Sequence, residues 1–241
     1  MAPRKRNQPQ LTREQIVAAA VRLIDEHGLE SHSMRHLGAE LGVDPTSVYH
    51  YVPSKNDLYN LIVDEIMEGV DLSIDDPSTP VEQRLFAGAQ EFRRALLVHP
   101  KAMPLVSTRS LRTARQLKPV ELLLGMLFDA GFDETEAITA TDILGMQVIG
   151  MSNVYAAHIT DAEYHQHSDG FDELPADEFP NMTRVLANGM YLGFDAEFDR
   201  AIRATIAGIL ELHAAGTLGF TGAEKGQRAP GEPATSEGSE S

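Results

Sequence analysis

The side chains best suited to recognising another molecule lie close together near the start of the chain, between residues 33 and 55. Hydroxyl, imidazole, guanidinium and ammonium groups follow one another there at short intervals, with one proline among them. The residues are Ser33, Arg35, Pro45, Thr46, Ser47, Tyr49, His50, Tyr51 and Lys55. Such groups hydrogen-bond phosphate oxygens and base edges, so the pattern indicates binding to double-stranded DNA.

These side chains divide by the part of DNA that each can reach. We expect the phosphate-binding group to comprise Ser47, Tyr49 and Lys55. Backbone amides at the start of the helix that Pro45 opens would add to it. The group suited to base edges and thymine methyls comprises Thr46, His50 and Tyr51. Arg35 is suited to guanine or to a phosphate, and a solvated surface arginine is the alternative.

A helix-turn-helix is predicted at the centre of this stretch. Ser33 is a suitable N-cap for a helix that Gly42 ends, and Asp44 is one for a helix that begins at Pro45. A small shared core would hold the two helices together, and it comprises Leu37, Leu41, Val43 and Val48. The last short helix would then direct its polar and aromatic side chains outward, with its N-terminus against nucleic acid.

Longer helices are predicted on both sides of this unit. Thr12 and Gln15 have the spacing of a capping box, which predicts a first helix that Gly28 ends. Ser54, with Asp57 three residues later, opens a fourth helix that would join the two halves of the chain. We therefore expect the fourth helix to transmit movement from one half of the chain to the other.

Charge is unevenly distributed along the chain. Through Lys55, seven Lys and Arg residues face six Asp and Glu residues, a net charge of +1, whereas the remainder carries −17. Salt screens charges beyond about 10 Å, so local charge decides the attraction to phosphates. The split is consistent with one DNA-facing end. The arm Arg4-Lys5-Arg6 would either follow DNA into the minor groove or remain a disordered basic tail.

The rest of the chain shows helical spacing and no period-two strand pattern, so the predicted fold class is all-α. Further helices are expected over 80–98, 101–108, 119–130, 133–157 and 195–214. The segment 133–157 is apolar nearly all round, which predicts burial in a core or against a partner. We expect a helix-turn-helix domain over 1–60, a helical effector-binding and dimerisation domain over 61–220, and a disordered tail over 221–241.

Composition and absent motifs narrow the function classes. The 241 residues include no cysteine, which excludes disulfides and thiol catalysis. No segment resembles a signal peptide or a membrane span, so we expect a soluble cytoplasmic protein without a membrane partner. The run Gly150-Met151-Ser152-Asn153-Val154 is not a nucleophile elbow, and no phosphate-binding glycine loop or dinucleotide fingerprint is present. We therefore expect neither an enzyme nor a cofactor.

An acidic segment with two histidines raises the question of a metal. It contains Asp161, Glu163, His165, His167 and Asp169. Histidines two residues apart with carboxylates nearby are a plausible ligand set for a divalent metal. A solvated, mobile acidic loop is the commoner outcome for such a segment, and we predict no metal site.

The stretch from Thr12 to Leu58 resembles the DNA-binding domain of the TetR family of bacterial transcriptional regulators. The resemblance rests on Gly28, Ser33-Met34-Arg35, Leu41-Gly42-Val43, Val48-Tyr49-x-Tyr51-Val52 and Ser54-Lys55-x-Asp57-Leu58. The family more often has threonine where Ser33 stands, and the capping hydroxyl is retained. The resemblance implies that the outward-facing residues of the third helix contact DNA.

The rest of the chain resembles the tetracycline-repressor type of C-terminal domain more loosely. The matching segments are Phe92-Arg93-Arg94-Ala95-Leu96-Leu97-x-His99, Thr108-Arg109, Gly131-Phe132 and Phe194-x-x-x-Phe198. In that subfamily a small effector binds among these helices, and the last long helices of two subunits form a four-helix dimer interface. The effector-binding residues expected here are Phe92, Leu105, Arg109, Leu122, Met126, Met146, Met151 and Tyr155. Met-rich walls suit adaptable apolar binding, although plain core packing is the alternative for each residue.

Two departures from that subfamily bear on the effector. Tetracycline repressors hold a magnesium–drug complex through a histidine that Leu105 replaces and an acidic residue that Val154 replaces. The resemblance therefore implies a more apolar effector. We predict a homodimeric repressor that such an effector releases from a palindromic operator. The alternatives are a dimeric regulator with no small ligand, and an all-α enzyme or metal-binding protein that reuses a helix-turn-helix.

Overall fold

A computed structural model describes residues 11–160, 175–187 and 193–219. These residues form ten α-helices and two short 3-10 helices, with no strand in the ranges described, so the all-α prediction is confirmed. The helices are α1 (Arg13–His27), α2 (Met34–Glu40), α3 (Pro45–Tyr49), α4 (Lys55–Glu68), α5 (Val81–Leu97), α6 (Met103–Ser107), α7 (Ala114–Asp129), α8 (Glu134–Thr160), α9 (Pro180–Leu186) and α10 (Phe194–Ala214). No helix of this part of the chain combines the length and apolar character that crossing a bilayer requires.

The first four helices begin where their capping residues predict. Thr12 and Gln15 form a complete capping box at α1, because each side chain accepts from the other residue's backbone amide. The side chains of Ser33, Asp44 and Ser54 cap α2, α3 and α4. Each cap satisfies an amide that the helix itself leaves unpaired.

Two later helices differ from the sequence-based expectation. The helix α7 begins at Ala114 rather than at Pro119, because the Thr113 hydroxyl accepts from the Gln116 amide at 3.2 Å and starts the helix early. Pro119 lies within the helix, where its missing N–H leaves one carbonyl of the preceding turn without its usual partner. The short helix α9 was not predicted, and it begins with Pro180 in the favourable first position.

The core is continuous from the first helices to the last, and α8 lies at the centre of the C-terminal half. This helix packs against α5, α6, α7 and α10. Its inward residues recur at helical spacing and are buried, namely Ala137, Ala140, Leu144, Val148, Ser152 and Ala156. Its other face stays exposed although it is largely apolar, as Ile143, Met146 and Val154 show. Within this chain the helix is therefore only half covered.

The N-terminal unit contacts the rest of the chain at two places. The helix α4 packs against α1 on one side and against α5, α6 and α7 on the other. At the second place the imidazole of His99 lies 2.8 Å from the Asp25 carboxylate, and Lys101 donates to the Glu26 carbonyl at 3.0 Å. A displacement of α4 would therefore change contacts in both halves of the molecule.

Candidate nucleic-acid interface and effector cavity

The helix-turn-helix is fixed by two glycines, Gly38 within α2 and Gly42 in the turn to α3. Gly42 makes the turn at φ +65°, a conformation that disfavours residues with a Cβ. The Val43 amide then donates to the Gly38 carbonyl at 2.9 Å. A Cβ on Gly38 would lie 3.1 Å from the Val43 carbonyl oxygen and 3.2 Å from Pro45 Cα. The absence of a side chain at Gly38 thus allows α3 to pack directly on α2.

The orientation of α3 follows from one buried and one capping residue. Val48 is fully buried and anchors the inner face of the helix. The Asp44 carboxylate accepts from the Thr46 amide at 2.8 Å, and hydrogen bonding from the Thr46 side chain and amide lowers the pKa of Asp44 below its usual range. The outer face is left to solvent, where Tyr49 is 45% exposed. A rigid frame therefore presents polar side chains outward.

The structure separates the predicted DNA-binding residues into exposed and half-buried groups. The exposed residues are Arg35, Thr46, Tyr49, His50 and Lys55. The half-buried residues are Ser33, Pro45, Ser47 and Tyr51. Ser33 already accepts from the His36 amide at 3.2 Å as the cap of α2, and Tyr51 packs against the core. These two positions therefore have structural tasks beside any contact with DNA.

Lys55 is held in place by the neighbouring loop. Its ammonium donates to the His32 carbonyl at 2.8 Å and lies 5.3 Å from the centre of the Tyr59 ring. An ammonium has three donors, so others remain for a phosphate. His32 itself is buried, and burial, with smaller effects from Lys55 and His36, lowers its pKa to about 4. His32 is therefore neutral at physiological pH and adds no charge beside Lys55.

A cavity of about 390 Å³ lies in the C-terminal half. Residues from the end of α4 and from α5, α6, α7 and α8 enclose it, and most of them are apolar. This size and composition are typical of sites for small molecules. Five of the expected effector-binding residues line it: Phe92, Arg109, Leu122, Met126 and Met146.

Three expected residues do not line this cavity. Leu105 is buried in the core, one residue before Val106, which does line it. Met151 is two residues beyond Ile149, the last lining residue of α8. Tyr155 lies a further turn along, where its ring packs 5.2 Å from that of Phe194. Met151 and Tyr155 therefore lie beyond the end of the cavity along α8.

Much of the cavity wall was not predicted from the sequence. The missed residues include Val106, Leu117, Val120, Leu123, Ile138, Thr141, Asp142 and Ile149. Those on α8 recur at intervals of three and four, as one helix face does. That spacing was available in the sequence, although nothing in it distinguishes a face that lines a cavity from one that fills a core.

A ladder of polar contacts joins the cavity wall to α4. The Arg109 guanidinium donates to Asn56 Oδ1 at 2.8 Å and to Asn60 Oδ1 at 2.9 Å. The buried Asp64 carboxylate accepts from Thr113 Oγ1 and Gln116 Nε2, each at 2.7 Å.

The ladder ends with Arg115, which pairs with Glu68 at 3.2 Å. The α4 positions of the ladder are four residues apart and share one face. Arg109 and Gln116 also line the cavity, so its wall and α4 are one connected unit.

Several predicted features fall outside the described residues. They are the arm Arg4-Lys5-Arg6, the loop from Asp161 to Asp169 and the tail 221–241. Within the ranges that the structure describes, no group of three or more His, Asp or Glu side chains could hold a metal ion.

Comparison with known proteins connects both halves of the chain to one family. Residues 16–62 match the family model described as bacterial regulatory proteins, tetR family. Residues 76–213 match the model of the tetracyclin repressor-like C-terminal domain. An HTH-type transcriptional regulator of Saccharopolyspora erythraea is 32% identical over 207 residues, which cover 85% of this chain and 86% of that protein.

Further relatives agree in function class and fold. The HTH-type transcriptional repressor DrrR1 of Streptomyces coeruleorubidus is 28% identical, over 78% of this chain and 69% of its own length. The crystal structure of apo ActR from Streptomyces coelicolor superposes with a TM-score of 0.75 at 23% identity, covering 87% of this chain and 99% of ActR. ActR has also been solved in complex with actinorhodin, with a TM-score of 0.74 and coverage of 84% and 97%.

Proposed function

The chain belongs to the TetR family of DNA-binding transcriptional regulators, and on that premise we propose that it is a homodimeric repressor released from a palindromic operator by a small, largely apolar effector. The observation that carries the proposal is the apolar cavity whose wall is hydrogen-bonded to α4. A regulator without a small ligand would be expected to fill this space, and the cavity between Phe92 and Met126 counts against that alternative.

The DNA-facing surface of the proposal consists of α3 and the residues around it. The N-terminus of α3 and the side chains of Tyr49 and Lys55 would bind phosphates. Thr46 and His50, both exposed, would reach base edges in the major groove. Arg35, exposed in the first turn of α2, would contact a guanine or a phosphate beside them.

The effector would act through the polar ladder between the cavity wall and α4. Each hydrogen bond of the ladder contributes about 0.5–1.5 kcal/mol, so rearranging a few of them supplies the 1–3 kcal/mol typical of allosteric coupling. ActR, a protein of similar fold, has been solved with the small molecule actinorhodin. We infer that a bound effector shifts the segment 109–116, tilts α4 and changes the spacing of the two recognition helices.

Dimerisation would use the uncovered faces of α8 and α10. Val154 on α8 and Leu212 on α10 are each nearly half exposed although both are apolar. A second subunit packed on these faces would bury them and place two copies of α3 about 34–36 Å apart, which matches successive major grooves. This arrangement assigns DNA binding to residues 1–60 and effector binding with dimerisation to 61–220, in a cytoplasmic protein without catalytic activity.

Binding to the intergenic DNA beside its own gene tests the proposal. We expect specific binding that weakens steeply with salt, because phosphate contacts release counterions. Val154→Asp should convert the dimer into a monomer in sedimentation experiments and abolish operator binding with it. Specific binding by a stable monomer would contradict the dimeric model, and no specific binding at any salt would contradict the repressor.

A further inference from the structure

Arg109 is the one cationic residue of the cavity lining, and its guanidinium has no carboxylate partner among the described residues. Arg109 lines the cavity and is half-buried. Its guanidinium donates only to the neutral amide oxygens of Asn56 and Asn60 and lies 5.3 Å from the centre of the Tyr59 ring. A guanidinium has five N–H donors, so several remain available to a ligand.

Three other arginines in this half of the chain have carboxylate partners, unlike Arg109. Arg84 pairs with Asp75 at 2.7 Å and with Asp129 at 2.9 Å, and Arg93 pairs with Asp195 at 2.7 Å. Arg115, six residues after Arg109, pairs with Glu68. Partly buried arginines usually have an anionic partner. Because Arg109 has none among the described residues, its position beside the apolar cavity favours an anionic ligand.

Three further polar groups line the cavity and bear on the chemistry of the ligand that it would accept. The Thr141 hydroxyl is buried in the wall and has no hydrogen-bond partner among the described residues. It can donate to or accept from one polar atom of a ligand. Asp142 also lines the cavity, but it is exposed, so solvent weakens, without removing, the repulsion between its carboxylate and an anionic ligand. The amide of Gln116 is already bonded to Asp64.

We propose that the effector is an apolar acid, whose carboxylate binds Arg109 and whose body fills the apolar cavity with one polar atom on Thr141. This inference rests on the proposed effector control and names the chemical class of the effector. The carboxylate takes the remaining N–H donors of Arg109 and, as the stronger acceptor, draws the guanidinium away from the neutral oxygens of Asn56 and Asn60. Because both asparagines lie on α4, capture of Arg109 by the ligand releases that end of the ladder. The negative charge of the ligand is thus the feature that changes the contacts of α4 and, through α4, the position of the DNA-binding helices.

Matched acids and amides test this directly. Naphthalene-, anthracene- and pyrene-carboxylates, each with its carboxamide, are titrated into the DNA-free protein by calorimetry at pH 7.5. The best-fitting acid is expected to bind about tenfold or more tightly than its amide, because hydrogen bonds to an ionised group are roughly twice as strong as neutral ones. Equal affinities, or no binding of any acid, would overturn the inference.

Three variants locate the charge recognition. Arg109→Gln should abolish the preference for the acid, whereas Arg115→Gln, which changes a nearby arginine outside the lining, should retain it. Asp142→Asn should strengthen acid binding a few-fold and leave amide binding unchanged, which tests the electrostatics in a chain with Arg109 intact. A preference for the acid that persists in folded Arg109→Gln would overturn the assignment.

The DNA-binding assay keeps this inference distinct from the proposed function. A protein that selects the acid but never binds DNA specifically would contradict the repressor and leave the acid site standing. A protein that binds its operator but shows no preference for acids would overturn the acid site and leave the repressor standing. Operator release by the acid in the wild type, and not in Arg109→Gln, is the expected result for both.

Discussion

The close approach of α2 and α3 predicts a specific failure on adding one methyl group. In Gly38→Ala the new Cβ would meet the Val43 carbonyl oxygen at 3.1 Å and the Cα and Cγ of Pro45 at 3.2 Å. Val43 O and Pro45 Cα are backbone atoms, so side-chain rotation cannot move them away from the new Cβ. Overpacking of this kind costs about 1–3 kcal/mol, and its relief requires α3 to move relative to α2. We expect Gly38→Ala to lose stability and at least about tenfold in DNA affinity, which corresponds to about 1.4 kcal/mol.

Two other glycines provide matched controls for the same substitution. A Cβ on Gly42 meets nothing within 4 Å, but its φ of +65° makes alanine strained by about 1–2 kcal/mol. Gly125 lies exposed within α7, with no atom within 4 Å of an added Cβ, so Gly125→Ala should stabilise the helix by about 0.5–1 kcal/mol. Gly42→Ala should therefore lose stability with little loss of DNA affinity, and Gly125→Ala should lose neither.

Urea unfolding gives the stability of each variant, and fluorescence anisotropy with operator DNA gives the affinity of the folded fraction. Gly38→Ala should differ from both control variants in its affinity for operator DNA. If folded Gly38→Ala binds operator as tightly as the wild type, the direct packing of α3 on α2 does not set the DNA-reading geometry.

Three further changes test other parts of the account. Asp64→Ala should lower the free energy of unfolding by about 1–3 kcal/mol, because it leaves the buried Gln116 amide short of an acceptor; unchanged urea unfolding would refute this. Burial lowers the pKa of His32 from 6.5 to about 4, so the unfolded chain binds a proton there more readily than the folded protein. The free energy of unfolding therefore has its full value from neutral His32 above pH 6.5 and decreases as the pH falls towards 4. In His32→Phe the free energy of unfolding should depend less steeply on pH over that range, as urea unfolding at several pH values would show. Tyr49→Phe should keep wild-type stability, since the ring is 45% exposed, and lose DNA affinity a few-fold in anisotropy titrations if its hydroxyl binds a phosphate.

Local signals in the sequence were sufficient for the helix-turn-helix. Thr12, Ser33, Asp44 and Ser54 cap the helices that their side chains predict, because capping depends only on residues two or three positions away. The predicted start of α7 was wrong because a similar cap was overlooked. Pro119 suggested a helix start, but the Thr113 cap precedes it and one missing hydrogen bond does not end the helix.

The cavity was predictable only in part, because it depends on the phase of long helices and on contacts between distant segments. Phe92 and Met126 line it as expected, whereas Met151 lies beyond Ile149, the last lining residue of α8. The ladder on α4 has visible four-residue spacing, but the partner of Asn60 is Arg109, 49 positions away. Nothing local in the sequence indicates that pairing.

The most direct test of the central claim is footprinting of the purified protein on the intergenic DNA beside its gene, followed by addition of effector. We expect a two-fold symmetric protected site, with half-sites centred about one helical turn apart, that disappears when an apolar acid fills the cavity. Protection that lacks two-fold symmetry, or that no ligand of the cavity removes, would contradict the account of an effector-released dimeric repressor.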